Sequence, residues 1–98
     1  MQSSSLPSEF EWDKYNISHI KDGHNIEPHE CEEVFLNLPL TIKPDVIHSH
    51  NEEREHALGK TNTGKVLFIT FTIRNKKIRV ITARDIKKKE RRVFYETI

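Results

Sequence analysis

Lys65-Val66-Leu67-Phe68-Ile69-Thr70-Phe71-Thr72-Ile73-Arg74-Asn75-Lys76-Lys77-Ile78-Arg79-Val80-Ile81-Thr82-Ala83-Arg84 is the stretch that decides the fold. β-Branched and aromatic residues fill 65–74 and 77–84, and Asn75-Lys76 separates the two runs. Such runs read as strands, and the pair between them as a tight hairpin turn. A two-residue loop sets Arg74 opposite Lys77, Ile73 opposite Ile78, Thr72 opposite Arg79 and Phe71 opposite Val80. Side chains alternate across a strand. One face then carries Leu67, Ile69, Phe71, Ile73, Ile78 and Val80, which is a core. The other carries Thr70, Thr72, Arg74, Lys77 and Arg79. A hairpin with one apolar and one cationic face suits an anionic ligand. The chain's net charge is only +1, so this concentration of arginine is a matter of placement.

Outward from the hairpin, Asp85 is positioned to cap a final helix with Ile86, Glu90, Val93, Phe94 and Thr97 along one side. Its basic run, Lys87-Lys88-Lys89-Glu90-Arg91-Arg92, is the ordinary content of a solvated helix face. Before the hairpin, Thr61-Asn62-Thr63-Gly64 turns a strand that spans about Glu53 to Lys60. Residues 40–50 form a connector broken by Pro44-Asp45, with a short strand near Leu40–Ile42. A helix opens at Glu27-Pro28, where proline suits the first turn, and ends at Leu38-Pro39. Cys31, Val34 and Phe35 share its apolar stripe. An earlier helix runs from about Lys14 to Lys21, capped by Asp13 and stopped by Asp22-Gly23. Phe10-Glu11-Trp12 is a short extended entry, and residues 1–9 form a loose tail. The expected order is short strand, two helices, three antiparallel strands, helix. That is an α+β fold: a small antiparallel sheet with helices packed on one face.

Ninety-eight residues make one domain, here residues 10–98, with one modest core. Apolar residues are 35 %, and the three glycines do not bring this to the roughly 45–50 % usual for globular domains. A surface completed by a partner would account for the shortfall. The single cysteine excludes an internal disulfide framework and fits a reducing, cytoplasmic setting. No apolar run approaches the roughly 20 residues that span a bilayer, and the first residues lack a signal-peptide pattern. A membrane partner is not expected.

Arginine makes planar, two-pronged contacts to phosphate. The set is Arg54, Arg74, Arg79, Arg84, Arg91 and Arg92. Scattered solubilising charge is the plain alternative, but it would not group Thr72, Arg74 and Arg79 on one sheet face. Six histidines are many for this length. His19, His24 and His29 step by about 140° on a helix and are interrupted by Gly23 and Pro28, so they do not converge as metal ligands. Neither a metal site nor a cofactor is expected. His24, just after the first helix, is the preferred acid–base candidate, although a surface role is the plainer reading of any single histidine. Glu52, Glu53 and Glu55 lie where a strand begins, as counter-ions to arginine or, for Glu53, as a general base. Cys31 belongs to the core. No nucleophile motif, glycine-rich phosphate loop or zinc-finger spacing is present.

These residues form an ordered pattern. Phe10-Glu11-Trp12-Asp13, Asn16-Ile17, His19-Ile20, His24, Ile26-Glu27-Pro28 and Glu32-Glu33-Val34-Phe35 resemble the opening of the BrnT toxin family. Glu53-Arg54, Leu58-Gly59, Thr72-Ile73-Arg74, Ile78 to Arg84, Glu90-Arg91-Arg92 and Tyr95 resemble its second half. The resemblance spans about Phe10 to Glu96. It implies a RelE-like fold and a ribonuclease toxin of a bacterial type II toxin–antitoxin system. It also implies a BrnA-like antitoxin that binds DNA, so that DNA is met only through the complex. The sequence departs from the family at Gly23, where many members carry lysine, at Asn25, where they carry glycine, and at Thr82, where they carry serine. The first change removes a cation.

A metal-independent ribonuclease must activate the ribose 2′-OH, stabilise a pentavalent phosphate and protonate the leaving oxygen. The expected assignment is Arg79 and Arg74 as phosphate clamps, Arg84 on the developing charge, and His24 or Glu53 as base or acid. Arg54, Lys77, Arg91 and Arg92 are expected to hold the RNA. The alternative is a weak or inactive homologue that serves as an antitoxin- or RNA-binding module.

Overall fold

The computed structural model describes residues 6–96, apart from the side chains of Val93 and Glu96. Its elements are α1 (Lys14–Lys21), α2 (Pro28–Leu36), β1 (Thr41–Pro44), β2 (Glu55–Lys60), β3 (Val66–Arg74), β4 (Lys77–Asp85) and α3 (Lys88–Glu96). The strands form one antiparallel sheet in the order β1-β2-β3-β4. The hairpin pairs in the expected register, Arg74 with Lys77 through Phe71 with Val80. Asn75 and Lys76 take φ of 55° and 61°, the left-handed pair that a two-residue turn needs to match strand twist.

Past Val80 the register shifts: Thr70 faces Thr82, and Ile81 is the extra residue of a bulge. The bulge preserves burial. It returns Ala83 to the core face opposite Ile69, where both are fully buried.

That face carries Ala57, Leu67, Ile69, Phe71, Ile78, Val80 and Ala83, and it packs on Ile20 of α1, Ile26, and Cys31 and Val34 of α2. Each fully buried large apolar chain contributes about 1.5–3 kcal/mol. Ile73, expected in this core, is 42 % exposed, because it sits beyond the helices near the hairpin tip. Gly59 is a close approach: a Cβ there would lie 2.9 Å from Val34 Cγ1 and 3.3 Å from the Val34 carbonyl, so α2 rests on the β2 backbone. The sheet's other face holds a smaller cluster, in which Phe94 of α3 and Ile86 pack with Leu58, Val66 and Phe68.

Local chemistry sets the boundaries. The Asp13 carboxylate accepts from the N–H groups of Tyr15 and Asn16 and starts α1 as expected. Buried Asn16 donates from Nδ2 to the carbonyls of Glu11 and Val80, which pins α1 to the edge of β4. The short strand expected near Leu40–Ile42 is β1, shifted to Thr41–Pro44 and paired with β2, Thr41 opposite Leu58 through Pro44 opposite Glu55, so the sheet has four strands. β2 begins at Glu55 rather than Glu53, since Arg54 is tied into the preceding loop. Asp85 ends β4 and caps nothing. The Glu90 carboxylate instead accepts from the Lys87 N–H at 2.8 Å, and Ile86 continues the sheet through a bond to Val66. Of the helix stripe expected after it, Thr97 and the Val93 side chain lie outside the described residues. Of the expected tail, residues 1–5 lie outside them too. Leu6 packs on the core, and Ile78 donates its N–H to the Glu9 carbonyl.

Candidate functional site

Cross-strand pairing lays out the polar face in rows. His56, Thr70 and Thr82 form one, Leu58, Phe68 and Arg84 another, and Thr72 and Arg79 a third. Thr72 is covered: its hydroxyl donates to the Glu53 carbonyl at 2.7 Å, which draws the loop between β1 and β2 over the sheet. Between that loop and α1 a recess opens. Arg54 from the loop, Arg74 from β3 and Arg79 from β4 line it, with Tyr15 and His19 from α1. An adjoining recess shares Glu52, Arg54 and Arg74 and adds His48 and His50.

The arginines have carboxylate partners. Arg79 meets Asp13 at 3.0 Å, so Asp13 both caps α1 and neutralises Arg79. The Arg79 hydrogen bond, helped by backbone N–H groups, holds the Asp13 carboxyl below its ordinary range. Arg74 donates to both oxygens of Glu52, at 2.9 and 3.2 Å. Arg84 makes a two-pronged pair with Glu90, at 2.8 and 2.7 Å, and lies 4.3 Å over the Phe68 ring. The Arg84 bond drives the Glu90 carboxyl down to about 2. Two buried polar atoms have no hydrogen-bond partner among the described residues: Arg54 Nε and Glu11 Oε1.

A second polar cluster centres on Asp45, which is buried. Its carboxylate contacts His48 Nδ1 at 3.1 and 3.2 Å, accepts from the His48 backbone N–H, and lies 3.5 Å from His56 Nε2. His56 Nδ1 is 3.1 Å from the Thr70 hydroxyl, and its ring stacks on Phe68. Burial lowers the His56 pKa against the pull of Asp45. Burial alone would raise the Asp45 carboxyl, but the His48 hydrogen bonds and both histidines bring it below its ordinary value.

The structure therefore brings Arg54, Arg74 and Arg79 together. Arg84 shares their face but is closed on Glu90. Lys77 is exposed beside the hairpin turn, and Arg91 and Arg92 are exposed on α3. His24 is exposed in the turn after α1 and does not line the arginine recess, whereas His19 does. The Glu53 side chain is exposed, and it is Glu52 that meets Arg74. Sequence reasoning missed Asp45, His48 and His56. The signal available was Asp45 three positions before His48, a spacing that lets an aspartate accept from a backbone N–H just ahead. Cys31 is fully buried with its thiol pushed up to about 12, as befits a core residue. Among the described residues no group of three or more His, Cys, Asp or Glu is placed to hold a metal. No helix among them is long and apolar enough to cross a membrane.

Fold and recess together define a small α+β protein with an arginine-lined cleft suited to phosphate. Residues 12–90 match the family model of BrnT, the ribonuclease toxin of type II toxin–antitoxin systems. The chain belongs to that family. Comparison with curated proteins gives no match.

Proposed function

We propose that this chain is a metal-independent endoribonuclease toxin that binds RNA in the recess of Arg54, Arg74 and Arg79 and cleaves it in the cytoplasm. The observation that carries the reading is the convergence of three arginines from separate segments on one recess, in a chain of a ribonuclease toxin family. Arg74 and Arg79 clamp the scissile phosphate. Arg54 adds its guanidinium charge at the recess wall. Arg84 adds positive charge from the neighbouring rows, and Lys77, Arg91 and Arg92 guide the strand at the rim. Electrostatic stabilisation of this kind is usually the largest catalytic term. A BrnA-like, DNA-binding antitoxin occupies the same face, and DNA is met only through it.

The ion pairs favour a second reading. Arg74, Arg79 and Arg84 each already hold a carboxylate, so the face is partly neutralised before any ligand arrives. A weak or inactive homologue that only binds antitoxin or RNA would look like this. Incubating the purified chain with RNA in excess chelator, with and without antitoxin, separates the two. Cleavage that persists in chelator and stops with antitoxin supports the toxin. Cleavage restored only by an added divalent ion overturns the metal-independent mechanism, and binding without cleavage supports the module.

A further inference from the structure

The loop between β1 and β2 is locked around one buried carboxylate. The Asp45 N–H donates to the Arg54 carbonyl at 2.9 Å, the Ser49 hydroxyl donates to the Asp45 carbonyl at 2.6 Å, and the Arg54 N–H donates back to Ser49 Oγ at 2.9 Å. Inside this ring Asp45 is 6 % exposed, whereas the His48 side chain bound to it is 64 % exposed. Burying a carboxylate is costly unless it is paired. Asp45 also fixes the His48 ring, through Nδ1.

His56 has both ring nitrogens engaged, one with Thr70 and one with Asp45. It anchors Asp45 to the sheet. His48 differs: its Nε2 has no protein partner among the described residues, and its ring lines the recess shared by Arg54 and Arg74. An ionised carboxylate only accepts, so in the neutral ring Nδ1 carries the proton and Nε2 presents a lone pair. A chain of contacts thus runs from Thr70 at the sheet centre through His56 and Asp45 to a free imidazole nitrogen beside two arginines. Nucleophile-activating histidines are held by a carboxylate in this way.

We infer that His48 is the general base of the adjoining recess that it shares with Arg54 and Arg74, with Asp45 as its positioning residue. This rests on the ribonuclease reading above. His48 Nε2 takes the proton of a ribose 2′-OH, and the 2′-oxygen bonds to phosphorus. The bond from phosphorus to the 5′-oxygen breaks, and that oxygen takes both electrons and a proton from water. The imidazolium returns its proton to the hydroxide left behind. The products are a 2′,3′-cyclic phosphate and a 5′-hydroxyl, with no net change in protons.

The test uses the full chain, a pool of 5′-labelled single-stranded RNA and its 2′-deoxy counterpart, at single turnover across pH. His48→Gln should lower the rate by about 10²–10⁴-fold, the usual contribution of a general base. RNA binding and the melting curve should stay unchanged. The rising limb of the pH–rate profile should vanish. The charged and titratable groups facing His48 are Asp45, His50, Glu52, Arg54, Arg74 and His56, so His50→Gln and His56→Gln are the controls, and both should keep the limb. Asp45→Asn releases the imidazole from its carboxylate and should slow the reaction while leaving RNA binding unchanged. Imidazole should partly rescue His48→Ala, a second variant at this exposed position. A wild-type chain that binds RNA and never cleaves it overturns the ribonuclease reading and this one together. A wild type that cleaves, with a His48→Gln variant that cleaves equally well on the same pH profile, overturns only the base assignment. Loss of the limb in His56→Gln but not in His48→Gln also overturns it.

Discussion

Arg79 and Arg84 stand on the same face of β4, although they lie an odd number of positions apart. Strict alternation would send them to opposite faces. The bulge at Ile81 absorbs one residue, so Arg79 pairs with Thr72 and Arg84 with Phe68, both on the polar face. Without it, Arg84 would point into the core and Ala83 would leave it.

The two arginines should respond differently to removal. Arg79→Ala takes away a proposed phosphate clamp and an ion pair with Asp13. We expect a loss of about 2.7–4 kcal/mol of transition-state stabilisation, seen as a loss of RNA cleavage and growth inhibition, with the fold intact. Stability should fall as well, since Arg79 is only 14 % exposed and also faces Glu11 at 3.9 Å. Arg84→Ala should inactivate and also lower the melting temperature further than Arg79→Ala, since it strands Glu90 beside the Lys87 N–H and uncovers Phe68. Folded variants of both that remain fully toxic would remove the arginine face from the mechanism.

The Arg84–Glu90 pair should also leave a mark on stability in acid. The folded carboxyl sits at about 2, below its ordinary value of 4.5. A depressed pKa adds stability above the unfolded value and loses it as pH falls through the folded one. The contribution should be whole above about pH 5 and fade between about pH 4.5 and 2. Its size should be no more than about 1–2 kcal/mol, because water screens a partly exposed pair. Urea melts of the wild type and Glu90→Gln should converge over that window. Curves that stay parallel would show that the pair does not hold α3.

Gly59→Ala tests the seat of α2. The added methyl meets Val34 Cγ1 at 2.9 Å, and the Val34 carbonyl lies close behind. Overpacking of this kind typically costs about 1–3 kcal/mol. Denaturant unfolding should show that loss, while RNA binding by the folded fraction is unchanged, because neither Gly59 nor α2 lines the recess. An unaltered midpoint would mean that α2 shifts freely on β2.

The hairpin register was legible because two alternating runs flank a two-residue turn, and the capping of α1 because Asp13 precedes Tyr15 and Asn16. The bulge was not, since Ile81 continues the apolar pattern without a break. β1 was only partly visible, since Thr41–Pro44 is short and half exposed and ends in proline. Of the recess, Arg74 and Arg79 follow from alternation alone. Arg54, Glu52 and the Asp45 cluster depend on how a loop folds back onto the sheet through Ser49 and Thr72, which local pattern does not encode. His24 and Glu53 stand next to a helix end and to Arg54 in sequence, but both are exposed and neither lines the recess.

The antitoxin should bury the arginine recess. Membership of a type II toxin family implies such a partner, and covering the proposed RNA-binding surface is the most direct way for it to hold a ribonuclease toxin inactive. The structure offers that partner two kinds of contact. One is the recess of Arg54, Arg74 and Arg79, where acidic side chains could exchange with Glu52 and Asp13. The other is α3, where Tyr95 is 44 % exposed beside Arg91 and Arg92. An acidic and apolar antitoxin segment lying across both would neutralise the face and cover the tyrosine. Charged rim contacts speed association and weaken with salt, whereas apolar contacts persist. Association should therefore slow steeply as salt rises, with dissociation changed little. Hydrogen exchange on free and bound toxin should show new protection in β3, β4, the loop over residues 45–54 and α3. Protection confined to α1 and α2, with those segments unchanged, would mean that the antitoxin inhibits without covering the recess.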